Sequence, residues 1–335
     1  MSLADQWHSL ILKNSVNMMR FDAYLRDEVL TLLEDLGNEL VKELAVSGLD
    51  TPRSDWQRAR LRDLLDHAQT LTNMSFEKIT SQQATALAQA VDASSTSLVV
   101  AMNDAAGVEL LQGVQWTSNL LKELVGDTLI NGAPSADWWG RQAVDLQQAF
   151  SDQMRMGMLK GDSLGSMAAR VKSLMETTTR NAEALVRTST MAVNNAAHLA
   201  TWRENADSLQ KLQWVATLDP RTCIVCGAED GQQWPVDEDH AEPPLHWNCR
   251  CVVIPIPQLW EKLGIKPPES TRASVNGPVS SDTTWESWLE GLPKGEQESI
   301  LGPARFRLWS SGKLSIRDLT DQRGNALTLA ELRKL

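Results

Sequence analysis

Residues 217–257 read TLDPRTCIVCGAEDGQQWPVDEDHAEPPLHWNCRCVVIPIP, and the rest of the chain is interpreted from them. All four cysteines of the 335-residue protein fall here: Cys223, Cys226, Cys249 and Cys251. Two of its five histidines, His240 and His246, lie between the two pairs. A C-x-x-C spacing turns both sulfurs to one side of a tight knuckle, and Gly227 stands where a left-handed residue can close it. His246-Trp247-Asn248-Cys249-Arg250-Cys251 then offers up to three more donors. A tetrahedral Zn²⁺ is complete with Cys₄ or Cys₃His, so five candidates (Cys223, Cys226, His246, Cys249 and Cys251) exceed what one ion takes.

Other readings of the thiols compete with this one. Two disulfides fit poorly, because a chain of this length does not rely on a disulfide scaffold and MSLADQWHSL lacks the basic start of a secretory leader. Thiols scattered through a reducing cytosol would not cluster in this way. A redox dithiol is disfavoured because no strand–C-x-x-C–helix context is evident around Cys223. Leu212 to Leu218 reads as a strand entering the knuckle, Asp230-Gly231 as a turn, and Gln232 to Val236 as the return strand. Cys251 to Ile256 is a third β-branched run, ended by Pro255 and Pro257. If Cys249 and Cys251 share an extended segment, their side chains face the same way and both can bind one ion. His246 would then orient a ligand instead of being one, and spacing does not choose between the two donor sets.

The same residues carry a family likeness. Thr217-x-Asp219-x-Arg221-Thr222-Cys223-x-x-Cys226, Asp230-Gly231, and Pro244-x-His246-x-Asn248-Cys249-Arg250-Cys251 resemble the signature of the phage head morphogenesis domain, typified by the minor head protein F of phage Mu. The likeness covers roughly residues 150 to 260 and reaches Val186-Arg187-Thr188-Ser189, where the family usually has Ala-Arg-Thr-Glu. It implies a minor capsid protein of a tailed phage, inside the virion near the portal vertex and in the host cytoplasm during assembly. Implied partners are the portal protein, the major capsid or scaffolding protein and, in some members, packaged DNA.

Composition sets further bounds. With 43 acidic against 32 basic residues the formal charge is −11, which argues against a general DNA-coating protein. Thirteen tryptophans against four phenylalanines and one tyrosine leave much of the aromatic packing to Trp, whose N–H seeks a partner when buried. No run approaches the roughly 20 apolar residues of a membrane span, so no membrane contact and a soluble protein are expected.

The fold class expected is mainly α, with a small zinc-stapled α+β module, a flexible linker and a short helical tail. A helical N-terminal region is assigned to residues 1–130, the α+β module with the Cys/His cluster to 131–260, the linker to 261–284 and a helical docking tail to 285–335. Residues 4 to 46 carry Leu25, Val29, Leu32, Leu33, Leu36, Leu40 and Leu44 at helical spacing, with Gly37 a weak point. Ser54 caps a helix expected to end near Thr72, and two or more helices are expected over Ser75 to Val125. Gly126 to Ser135 reads as a linker. Helices then follow over Leu164 to Glu176 and Thr177 to Asn205, the latter sending Arg187 and Asn195 toward the zinc unit. Leu259 to Leu263 forms a helical turn, Lys266 to Thr283 an extended linker, and the tail two helices and a turn.

No nucleophile elbow, H-E-x-x-H or complete phosphate loop is present, so a structural, non-enzymatic role is expected, with no catalytic residue assigned. Two alternatives are a zinc-dependent hydrolase acting during phage entry, with Asp219 or Glu229 as base, and a zinc-containing nucleic-acid-binding protein using Arg221 and Arg250.

Overall fold

The computed structural model describes residues 3–49, 54–257, 271–321 and 324–334. Four helices dominate: α1 (Leu3–Val46), α2 (Ser54–Ala106), α4 (Ser135–Lys160) and α5 (Leu164–Glu204). A shorter α3 (Ser118–Asp127) precedes β1 (Leu129–Ile130) and β2 (Ala133–Pro134). After α5 come β3 (Leu209–Val215), α6 (Ile224–Glu229), β4 (Gln233–Trp234), β5 (Val252–Pro257), β6 (Thr271–Ser274) and β7 (Gly277–Ser280). The chain closes with α7 (Trp285–Glu290), α8 (Lys294–Leu301), α9 (Pro303–Ser310) and α10 (Leu329–Leu332). Among the described residues no helix is long and apolar enough to cross a membrane.

The chain divides into two compact units: residues 1–18, 91–116 and 194–335 form the first, and 19–90 with 117–193 the second. The second is helical. Its α1 stripe of Leu25, Val29, Leu33, Leu36, Leu40 and Leu44 is buried, as are Phe76, Ile79 and Leu87 of α2 and Trp139, Leu146 and Phe150 of α4. Each such side chain contributes about 1.5–3 kcal/mol of burial. Gly37 does not break α1; a Cβ there would sit 3.0 Å from Met175 Cγ, so the glycine admits a close neighbour. At the polar centre, Gln83 Oε1 accepts from Trp139 Nε1 (2.6 Å) and Ser135 Oγ (2.8 Å).

Two expected helix breaks are absent and one expected linker is structured. The helix beginning at Ser54 does not end near Thr72: Thr72 Oγ1 donates to Ala68 O (2.7 Å), so its hydroxyl stays on its own helix and caps no new one. Thr178 does the same toward Leu174 O (3.1 Å), and α5 runs through the junction expected at Thr177. Within the expected Gly126–Ser135 linker, Asn131 (φ 47°) and Gly132 (φ 82°) supply the two left-handed residues of a tight hairpin joining β1 to β2.

In the first unit, α2 stops at Gly107 (φ 70°), and Asn103 closes the next turn: Oδ1 accepts from the N–H of Leu110 and Leu111, while Nδ2 donates to Leu111 O. Trp7 Nε1 donates to Met102 O (2.8 Å) and Trp116 Nε1 to Ser95 Oγ (2.8 Å). A three-stranded antiparallel sheet has the order β4-β3-β5, with Leu212 opposite both Trp234 and Pro255. Pro255 and Pro257 are tolerated because β5 is an edge strand. Helix α5 reaches this sheet through Trp202 Nε1, which donates to Val253 O (3.4 Å).

Part of the expected linker is structured. Residues 271–280 form the β6–β7 hairpin, in register from Thr271↔Ser280 to Ser274↔Gly277, and Arg272 is buried. The turn expected at Leu259–Leu263 and the linker's first residues lie outside the described residues. The tail has more elements than the two helices expected, because Gly291, Gly302 with Pro303, and Gly312 each interrupt it. Its core of Trp285, Trp288, Leu289, Trp309, Ile316 and Leu319 closes on Leu218 and Ala228 of the chain's own body.

Candidate metal centre

The first knuckle is set by local hydrogen bonds. Asp219 Oδ1 accepts from the N–H of Arg221 (2.9 Å) and Thr222 (3.1 Å), and Thr222 Oγ1 donates to Thr217 O (2.5 Å). This turn delivers Cys223 as the N-cap of α6, its Sγ accepting from Cys226 N–H at 3.4 Å. A helix does therefore begin within the C-x-x-C, contrary to the reading from sequence, although residues 216–223 separate it from β3. Gly227 is not a left-handed closing residue either. It lies within α6, and a Cβ there would fall 2.7 Å from Trp285 Cδ2, so the glycine is needed for ring contact.

The second knuckle starts at His246, whose Nδ1–H donates to Trp247 O (2.8 Å) and so turns Nε2 toward Cys223 and Cys226. Asn248 turns the chain at φ 62°, and Cys249 N–H donates to His246 O (3.2 Å). Asn195 Nδ2 of α5 holds the Cys251 carbonyl (3.0 Å) just before β5 begins. Arg187, the other α5 residue expected here, pairs with Asp22 at 3.6 Å in the second unit.

These turns bring the five sequence-assigned donors into two triads that share Cys226. His246 Nε2 lies 3.2 Å from Cys223 Sγ and 3.1 Å from Cys226 Sγ, and Cys226 Sγ lies 3.7 Å from Cys249 Sγ. Cys223, Cys226 and His246 form one triad and Cys226, Cys249 and Cys251 another, each with its ligand atoms within 4.8 Å of one another. Tetrahedral zinc with Zn–S near 2.3 Å spaces its sulfurs about 3.8 Å apart, so the Cys226–Cys249 separation fits, and the thiolate and imidazole donors suit that ion. Cys226, Cys249 and Cys251 are buried and Cys223 is half-buried. Without a cation the sulfurs divide: hydrogen bonding to Cys223 and Cys249 pushes the Cys226 thiol up, and Cys251 is raised as well. Hydrogen bonding from Cys226, aided by His246, lowers the Cys223 thiol to about 4, and Cys226 with Cys251 likewise pushes Cys249 down. Hydrogen bonds to Cys223 and Cys249 raise His246 to about 11.

Two ion pairs brace the knuckles. Arg250 grips Asp219 bidentately, Nη1 to Oδ2 at 2.5 Å and Nη2 to Oδ1 at 2.8 Å, tying one knuckle to the other. Burial alone would raise the Asp219 carboxyl, but Arg250 and the turn N–H groups bring it below its ordinary value. Asp230 is a hub that sequence reading missed: Oδ1 accepts from Ala216 N–H (2.7 Å), Oδ2 from Trp285 N–H (2.6 Å), and Arg272 lies 3.0 Å away. Arg272 also donates to Ala216 O and to Thr283 O. Asp230-Gly231 signals a turn in sequence, and nothing local announces a partner 42 residues on.

Other histidines and carboxylates fall outside the donor cluster. His240 stacks on Trp234 at 3.9 Å and approaches Glu229 at 3.7 Å. His198 is a core residue, held by burial at a pKa of about 4, with neither ring nitrogen hydrogen-bonded among the described residues. Asp318 hydrogen-bonds Ser315, and Glu331 forms a capping box with Thr328.

Residues 148–254 match the family described as Phage Mu protein F like protein, a span that contains the whole cysteine cluster. An "Uncharacterized protein" of Haemophilus influenzae is 34% identical over 116 residues, 33% of this chain and 24% of its own length. The chain thus matches about a quarter of that relative. No solved structure matches.

Proposed function

We propose, from the premise that residues 148–254 are a phage Mu protein F-like domain, that the protein is a structural component of a phage head acting in head morphogenesis. The observation that carries this reading is that match, with the whole Cys/His cluster inside it. The cluster acts as a staple: two short loops and a three-stranded sheet have little core of their own, and a bound Zn²⁺ adds folding free energy that the unfolded chain does not gain. In the head, the protein sits on the inner side near the portal vertex and contacts portal and capsid or scaffolding subunits.

Two features favour a structural role over hydrolysis or DNA binding. Asp219 is engaged through both oxygens by Arg250, which leaves it a poor general base. The same contact withdraws Arg250 from phosphate, and Arg221, 82% exposed, lies 3.6 Å from the same carboxylate. Heads assembled by co-expressing this chain with the portal and major capsid proteins from the same phage genome provide the test. The chain should be retained in purified particles and pulled down by the portal protein. Particles of normal composition that lack it, together with no retention by either partner, would overturn the proposal.

A further inference from the structure

Helix α6 stands between the cysteine cluster and the tail, and it is only the six residues Ile224–Glu229. An isolated helix of that length is unstable in water, so it persists only where its surroundings hold it. On one side Cys223 caps it and Cys226 contributes its thiol to both donor triads. On the other, Gly227 admits the Trp285 ring, and Ile224 and Ala228 join the tail core. Trp285 also ties into the knuckle through Nε1 to Asp219 O (3.4 Å) and into the end of α6 through its N–H to Asp230 Oδ2. One residue thus touches the turn before the helix and the helix itself through its indole, and the residue after the helix through its backbone N–H.

We propose that metal binding at the cysteine cluster and docking of the C-terminal tail are coupled through α6, so that loss of the ion releases Trp285 and the tail from the chain's own body. The proposal rests on the metal reading above. Without an ion, the knuckles keep the Arg250–Asp219 pair but lose the tie between their donors, and α6 loses its hold on Cys223 and Cys226; the notch at Gly227 then no longer matches the indole. The coupling is reciprocal by thermodynamic linkage, so a tail that cannot dock weakens the metal site by the same factor that metal strengthens docking.

Hydrogen–deuterium exchange on the full-length protein, with zinc content measured on the same sample, tests it. Chelation should speed exchange of amides in 217–251 and also in 285–301 by about tenfold or more, whereas amides of 94–106 keep their protection. Trp285→Ala should raise the zinc dissociation constant by a comparable factor, about tenfold, read by competition with a chromogenic chelator. If zinc is present and its removal loosens 217–251 but not 285–301, the coupling is overturned and the metal reading stands. If 94–106 loosens equally, general unfolding replaces the coupling and overturns it. If the purified protein holds no zinc and takes none up, both readings fall together. The chelation arm uses wild-type protein, so it decides the question even where Trp285→Ala does not fold.

Discussion

Arg272 Nη1 lies 3.0 Å from Asp230 Oδ2, and the two side chains are 4% and 0% exposed. The pair links β6 to the residue that ends α6. Removing one member of a buried ion pair strands the other charge without solvent, at a cost of about 3–5 kcal/mol. Arg272→Met should therefore lower stability by roughly that amount in urea unfolding followed by Trp fluorescence. The double variant Arg272→Met, Asp230→Asn should recover part of the loss, since the amide is neutral yet still accepts at one atom. A single variant within about 0.5 kcal/mol of wild type would contradict the structure here.

His198 gives the stability curve a slope between neutral and mildly acid pH. Burial lowers its pKa to about 4 from the ordinary 6.5, so the folded state excludes a proton that the unfolded chain takes up. Its contribution is complete above pH 6.5 and is lost as pH falls toward 4, by about 3 kcal/mol in all. His198→Leu should flatten this segment when urea midpoints are compared between pH 7 and pH 5. An unchanged slope would show that His198 is solvated in the native state.

Gln83 makes the same kind of demand inside the second unit, where its Oε1 accepts from both Trp139 and Ser135. Gln83→Leu leaves two buried donors without this acceptor, at about 1–3 kcal/mol each. Thermal unfolding should show a drop in midpoint of several degrees, larger than for Gln→Leu at an exposed helical position such as Gln82.

These cases mark how far the sequence could be read. The Cys/His cluster was legible because C-x-x-C, H-x-x-C and C-x-C spacings are local, and a tight loop leaves their donors few places to go. The strand before the knuckle and the Asp230-Gly231 turn were legible from β-branched runs and turn chemistry. Helix junctions were not: Thr72 and Thr177 look like breaks, yet each satisfies its hydroxyl on the preceding turn. Arg272 in a Pro/Ser/Gly-rich stretch and Gly227 in the knuckle have roles fixed by Asp230 and Trp285, both distant in sequence. Local composition carries no trace of such pairings.

The metal shell has its own internal test, because the donors outnumber the positions. Cys226 is the sulfur common to both triads, so its loss breaks both of them. Cys226→Ser should abolish stoichiometric zinc. Of His246→Ala and Cys251→Ser, one should retain the ion with affinity reduced by about 10- to 100-fold, the cost typical of disturbing a residue that only supports the ligands. Cobalt substitution identifies which: the thiolate-to-metal absorption scales with the number of sulfurs bound, so a Cys₃His shell absorbs less than Cys₄. Loss of metal from all five single variants would mean that no donor is spare. Full zinc binding by Cys226→Ser would place the ion elsewhere and remove the physical basis for the staple.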